Sequence, residues 1–402
     1  MLKSTDLGAY LTIDWMRKIA VGIGFALIAA IVGQSFAPLT YSTAIRSLVR
    51  DHCVECHRDG GSGPFPLQTY EQVKRRGSLI RQVVLNGQMP PIDADSDVAK
   101  LSRIVQISRA NLRELQAWFR AGMPKGDTTE PIQFADLVVP GMVSVQVGAD
   151  RKIPAEGQIV RIYYPVDLPD GFSSGISGFR VKPKSRQSVR QAILAVQAPG
   201  QPAPFTESGL RPNVAAAAMS DGYNEWKCAN APLPVPKGAR LWMELTVIPS
   251  GKSESAEATL ELIPATGSAP IVRTLGRSTF VVEPESQAVL RDEWTLDRDL
   301  HLVSALPQAK FRTAQLRLYA KSDGVERTLL RVNTWDPAWP GAYNFPMPIL
   351  LKKGETIGYE AIIDNSKHGH GADNDKTERL VFGPNAQNEL FWCHLYFSPT
   401  QP

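Results

Sequence analysis

The sequence predicts a multi-domain chain made of an N-terminal transmembrane helix, a small all-α domain and two mainly β domains of the sandwich or jelly-roll type. Three observations carry this. An uncharged apolar run lies near the N-terminus. Apolar residues then recur at helical spacing as far as Phe119. Beyond residue 140 they come instead in short runs broken by turn formers, and 31 glycines with 31 prolines are too many for a helical bundle. At 402 residues the chain can bury two or three cores. Hydrophobic residues at 43% and charged residues at 21% exclude a disordered chain. A net charge of +4 with no basic block excludes a nucleic-acid partner. Only 4 cysteines exclude a disulfide-stapled scaffold.

The run from Ile19 to Phe36 holds 18 residues without a charge. As a helix it would reach roughly 27 Å, the thickness of a bilayer core. Arg17 and Lys18 precede it and the next charge is Arg46, so residues 1–18 should stay cytoplasmic while the rest crosses. Two readings stand for residues 19–37: a retained single-pass anchor, or a signal peptide cut after the small-x-small triplet Ser35-Phe36-Ala37. Pro38 after that cut disfavours cleavage. Either reading places later residues on the periplasmic side of the inner membrane.

Next, Thr40 to His52 carries apolar residues at 45, 48 and 49, a helix running into Cys53-Val-Glu-Cys56-His57. Two thiols one helical turn apart can bond the two vinyl groups of one haem, and the adjacent His57 then becomes an axial ligand of its iron. Chance would supply roughly 6 × 10⁻⁴ such motifs in a chain of this composition. A thioredoxin-like pair would want a preceding strand. A zinc site would want a second Cys or His pair nearby, and there is none. Gly60, Gly61 and Gly63 let the chain turn close to the ring. Met89, in the proline-stiffened Asn86-Gly-Gln-Met-Pro-Pro91, offers a thioether as the other axial ligand, which raises the haem potential over a bis-His site. Leu112, Leu115, Trp118 and Phe119 follow Ser108 at helical spacing and stop before Gly122 and Pro124. Residues 40–127 thus read as an all-α c-type cytochrome domain with one covalent haem c. His52 is assigned no ligand role.

From residue 140 the pattern is β. Short apolar or alternating runs at 143–147, 159–166, 240–248, 258–263, 278–283, 314–320, 328–333, 356–363 and 390–397 are separated by Pro, Gly, Asn and Asp. Two sandwiches fit, at 140–265 and 275–400.

The chain after residue 40 resembles bacterial proteins that join a haem c domain to a module like the copper type II, ascorbate-dependent monooxygenases, which include the peptidylglycine and dopamine hydroxylases. The specific part of the likeness is CVECHRDGGSGPFPLQTYEQV, GQMPP and LQAWFRAGMPKGD; a looser framework match runs through PVPKGARLWMEL, LLRVNTWDPAWPGAYNFP and LKKGETI. The resemblance implies two copper sites on the sandwiches. Here its His-His pair falls on Arg190 and Gln191, its lone histidine on Glu244, its His-x-His pair on Gln308 and Lys310, and its methionine on Leu390. Residues 58–300 contain no histidine, so copper is not expected: it wants imidazole or sulfur donors.

The other histidines read as solvated or structural: His368 and His370 on a Gly-rich loop, His301 and His394 in strand-like runs. Cys228 and Cys393 could form a disulfide joining the two modules, or remain separate buried thiols. The function expected is single-electron transfer by a membrane-anchored periplasmic monohaem c-type cytochrome, its degenerate β module a docking or scaffold part, its redox partner proteins unidentified and its membrane contact the N-terminal helix. It is an electron carrier rather than a catalyst. The alternatives are a haem-fed copper monooxygenase and a relay subunit of a larger membrane oxidoreductase.

Overall fold

A computed structural model describes residues 38–91, 94–95, 98, 101, 107–127, 130–133, 141–149, 151–169, 172, 175–220, 225–227, 231–267, 269–366, 378–385 and 387–399. The apolar run at 19–37 lies outside them. Among the described residues no helix is long and apolar enough to cross a membrane.

Among the described residues the fold is mostly β, with 43% in strands and 12% in helices. The first sandwich uses β1 (Val143–Val147), β2 (Val160–Val166), β3 (Gly175–Pro183), β4 (Val189–Gln197), β5 (Ala216–Ser220), β6 (Glu225–Lys227), β7 (Arg240–Val247) and β8 (Ala258–Ala265). They form two antiparallel sheets, ordered β1-β8-β3-β6 and β2-β7-β4-β5. The second uses β9 (Ile271–Gly276), β10 (Gln287–Thr295), β11 (Leu300–Gln308), β12 (Thr313–Ser322), β13 (Val325–Val332), β14 (Tyr343–Leu351), β15 (Thr356–Asp364) and β16 (Trp392–Ser398). Its sheets are β9-β16-β11-β14 and β10-β15-β12-β13.

Sequence pattern explains the placement. β4 (VRQAILAVQ) is almost wholly buried and lies between β7 and β5, so it reads as an unbroken apolar run and not as an alternation. β10 lies at a sheet edge and alternates buried or half-buried with exposed residues. β14 contains Pro346 and Pro348, which cannot donate to a ladder, and it too is an edge strand. Each sandwich has its own core, and the two are pressed together. Val303 and Tyr396 of the second sandwich pack in the core of the first. The Tyr396 hydroxyl donates to the Ala231 carbonyl at 3.0 Å.

The helices are α1 (Arg46–His52), α2 (Tyr70–Arg75), α3 (Gly77–Leu85) and α4 (Arg109–Arg120), with a wide π turn at Tyr41–Ile45 before α1. Thr40 caps that turn, Thr69 caps α2 and Ser108 caps α4 through their hydroxyls. They share a core around Tyr41, Ile45, Leu115 and the fully buried Trp118, whose indole donates to the Pro124 carbonyl at 2.9 Å.

This corrects the expectation of an all-α domain over 40–127, whereas the transmembrane helix expected at 19–37 lies outside the described residues. The helices are short, and Ala94 and Asp95, in the connection between α3 and α4, pair with the β structure instead of with them. Ala94 makes an antiparallel bridge to Val332 of β13, and the Asp95 N–H donates to the Arg331 carbonyl at 2.9 Å. Ala94 is fully buried in the core of the second sandwich, and Leu101 packs against it. The apolar residues of this connection find their cover on a sheet edge that offers unpaired backbone groups, so the helical part is tied into the β structure.

Candidate functional site

The Cys53–His57 segment begins where α1 ends. The Cys53 N–H still donates to the Val49 carbonyl at 2.9 Å, and the His57 N–H donates to the Cys53 carbonyl at 2.8 Å. This extra turn sets the two thiols and the imidazole on one wall. The chain then folds back: the Gly63 N–H donates to the Cys56 carbonyl and the Leu67 N–H to the His57 carbonyl, at 2.9 and 2.8 Å. A Cβ on Gly63 would lie 2.7 Å from His57 Nδ1, so only glycine permits this approach. His57 Nδ1 is 3.0 Å from the Phe65 carbonyl oxygen. A carbonyl only accepts, so Nδ1 carries the proton and Nε2 carries the lone pair. The Phe65 ring packs beside the imidazole, with centroids 4.9 Å apart.

α3 supplies the facing wall. After it Gly87 takes φ +70°, and the N–H groups of Gln88 and Met89 both donate to the Val83 carbonyl, at 2.8 and 3.2 Å. This hook returns Met89 over the end of the helix. Cys53, Cys56, His57 and Met89 all line one cavity of about 420 Å³, within the size range of cofactor pockets. Phe65, Leu67, Ile80, Val83, Val84 and Ile107 add apolar walls. His52, given no role by the sequence, lines it too. Burial pushes the Cys53 thiol up to about 12, so the free thiol is held protonated.

These donors fit a haem c. Two thiols a turn apart, an imidazole with Nδ1 already engaged and a thioether surround one apolar hollow, and Gly63 keeps its entrance thin. Two wall residues were invisible as such in the sequence: Arg190 of β4 and Trp339, in the turn before β14. They come from different sandwiches, and no local motif announces a contact between segments so far apart. Phe65, in Gly-Pro-Phe-Pro, carries a readable turn signal.

The metal-binding expectation needs correction. Among the described residues no three His, Cys, Asp or Glu side chains come together as a metal cage. His394 donates or accepts through Nδ1 with the Thr274 hydroxyl at 2.9 Å, and burial pushes its pKa down to about 3, so it stays neutral. His301 faces Ser398 across the β11–β16 ladder while His394 faces Leu306, five residues further along. At about 3.3 Å per residue that is roughly 17 Å, too far for one metal. His368 and His370 lie outside the described residues. Cys393 is a free, buried thiol in the core of the second sandwich, in line with the second of the two readings of the cysteines; Cys228 lies outside the described residues.

The positions where the resemblance puts copper ligands hold a polar cluster at the junction of the sandwiches. Glu244, 1% exposed, has its carboxylate 3.9 Å from Arg161 Nε and accepts from the Thr246 hydroxyl at 3.3 Å; burial raises its pKa. A Cβ on Gly209 would sit 2.9 Å from both Arg161 Nη1 and Gln308 Oε1, which puts these two side chains side by side. Lys310 donates its ammonium to the carbonyls of Gly383, Pro384 and Asn385. Its pKa falls to about 8, because burial outweighs nearby Glu389. Glu389 accepts from the backbone N–H groups of Lys310, Arg312, Thr313 and Leu390. Gln191 donates to the Pro340 carbonyl at 3.4 Å, and Leu390 is fully buried.

No family model and no curated protein matches the chain. Among solved structures it is similar to PNGF-II, at a TM-score of 0.27 and 11% identity over 64% of this chain and 65% of that one, so it spans about two thirds of that chain's length. It is also similar to the STIV MCP, at 0.26 and 10% identity over 64% of this chain and 97% of that one, and to the major capsid protein P2 from bacteriophage PM2, at 0.26 and 9% identity over 57% and 99%. Likeness this faint carries no argument about fold or function, and the reading of the chain rests on its own residues.

Proposed function

We propose that this protein is a single-electron carrier built around one covalent haem c. The observation that supports it is the convergence of Cys53, Cys56, His57 and Met89 on one apolar cavity. Cys53 and Cys56 would hold the haem through thioether bonds, each thiol adding sulfur and hydrogen across one vinyl group with no net change of oxidation state. His57 would ligate the iron through Nε2, oriented by the Phe65 carbonyl. Met89 would offer its sulfur as a further ligand. The haem, once bound, supplies a reversible one-electron couple. Around it the chain excludes water with Phe65, Leu67 and α3, which lowers the reorganisation that each electron transfer demands and favours the less charged, reduced state. With His57 and Met89 both available to ligate the iron, the site would suit electron transfer better than substrate oxygenation. The sandwiches act as scaffold, holding Arg190 and Trp339 against the same cavity.

The test is expression in a host competent for covalent haem attachment, followed by a pyridine haemochrome spectrum and the intact mass. One haem per chain that survives denaturation is expected, and it should disappear in the Cys53→Ala/Cys56→Ala double variant. A colourless wild-type chain would falsify the reading.

A further inference from the structure

The cavity wall that closes against the β structure is unlike the rest. Its described lining is apolar apart from the motif residues, His52, Glu55, Ser62 and Arg190, so Arg190 is the one Arg or Lys among the described lining residues. The guanidinium is held in place. It stacks on the Trp339 ring, 4.4 Å from the centroid, and its Nη1 donates to the Gln187 carbonyl at 2.7 Å. Trp339 is fixed in turn: its N–H donates to the Asp336 carbonyl at 2.9 Å, and the Ala338 N–H donates to the Asp336 carboxylate at 2.8 Å. The neighbouring Gln191 reaches the Pro340 carbonyl and ties β4 to this turn. A cation from one sandwich and a ring from the other thus form a single stacked face on the cavity.

Resting on the haem reading above, we propose that Arg190 and Trp339 form the carboxylate-binding wall of the haem site, with Arg190 as a positioning residue that sets the haem potential. The chemistry follows from what a haem c presents. A haem joined through its vinyl groups to Cys53 and Cys56 would still bring two carboxylates to the site. An apolar hollow can accept those anions only where a fixed cation meets them. A guanidinium pinned by stacking loses little freedom on binding a carboxylate, and its planar fork has the shape to engage both oxygens. Its positive charge also stabilises the reduced haem, which carries one positive charge fewer at the iron. The redox centre is therefore completed by the β structure, and any rearrangement at the sandwich junction would be felt as a change of potential.

The experiment uses the full haem-loaded chain and measures midpoint potential and its dependence on salt. Arg190→Leu should lower the reduction equilibrium about tenfold, a shift of 59 mV for one electron. Arg190→Lys should restore part of it, and Trp339→Leu should shift it in the same direction by less. Wild-type potential in haem-loaded Arg190→Leu overturns the proposal while leaving the haem reading intact, whereas a wild-type chain without haem removes the haem reading itself. Should Arg190→Leu fail to accumulate with haem, Trp339→Leu decides by the same measurement, an unchanged potential again overturning it.

Discussion

The cavity beneath Cys53, Cys56, His57 and Met89 and the junction cluster around Glu244, Lys310 and Glu389 both hold reactive side chains away from bulk water, and they are built in opposite ways. In the cluster, side-chain charge is matched mostly to the fold: four backbone N–H groups converge on Glu389 and three carbonyls on Lys310. In the cavity, two thiols, an imidazole and a thioether line a hollow, and the one bond that matters most, from His57 Nδ1 to Phe65, orients a ligand instead of neutralising it. The lesson is that chemical type alone does not mark a site. Donors gathered on an empty apolar volume suit a guest, whereas donors enclosed by backbone partners hold two sheets together.

The sharpest way to break this contrast is Glu389→Ala. It strips an acceptor from four backbone N–H groups at a fully buried position, and leaving such groups unmet costs about 1–3 kcal/mol each. A destabilisation of roughly 3 kcal/mol or more is expected in urea unfolding, and a loss below about 1 kcal/mol would mean that water substitutes freely in the cluster.

His394 sharpens the contrast through pH. Its folded pKa of about 3 lies below the ordinary 6.5, so the unfolded chain binds the proton more readily. Stability from this group is present above about pH 6.5 and is lost as pH falls toward 3. Glu389, raised to about 7, has the opposite slope: its contribution falls as pH rises from about 4.5 to 7. The two are separated by comparing wild type with His394→Asn. The wild-type loss between pH 7 and pH 4 should exceed that of the variant by about 3 kcal/mol. Parallel curves would show that His394 is not held neutral by burial.

The smallest effect on the fold is expected at the cavity. Met89 is only half-buried, so Met89→Ala should cost about 1 kcal/mol of stability in the haem-free chain. In the haem-loaded chain the same substitution should lower the potential and open the iron to carbon monoxide. Tight carbon monoxide exclusion in the variant would show that another group takes the sixth position.

Much of this was legible in order along the chain. β1 and β7 fall where the alternating or apolar runs placed them, and Ser108 caps α4 as its position before the run of Leu112, Leu115 and Trp118 implied. The misses have causes. β4 is buried on both faces, so its periodicity disappears. Pro346 and Pro348 hid β14, which tolerates them only because it is an edge strand. The predicted strand at 278–283 shrinks to Val281–Val282, since its partner, Leu380–Val381, is equally short.

By itself the sequence determined the spacing of two thiols and an imidazole, the thioether in a proline-stiffened loop and the turn glycines, because these depend on residues close together in the chain. Only the tertiary structure decided that Ala94 joins the second sandwich, that Glu244 and Lys310 are held within a polar cluster, and that Arg190 and Trp339 meet on one cavity wall. Contacts between residues about 80 to 240 positions apart are set by which sheet faces exclude water together, and no local pattern encodes that.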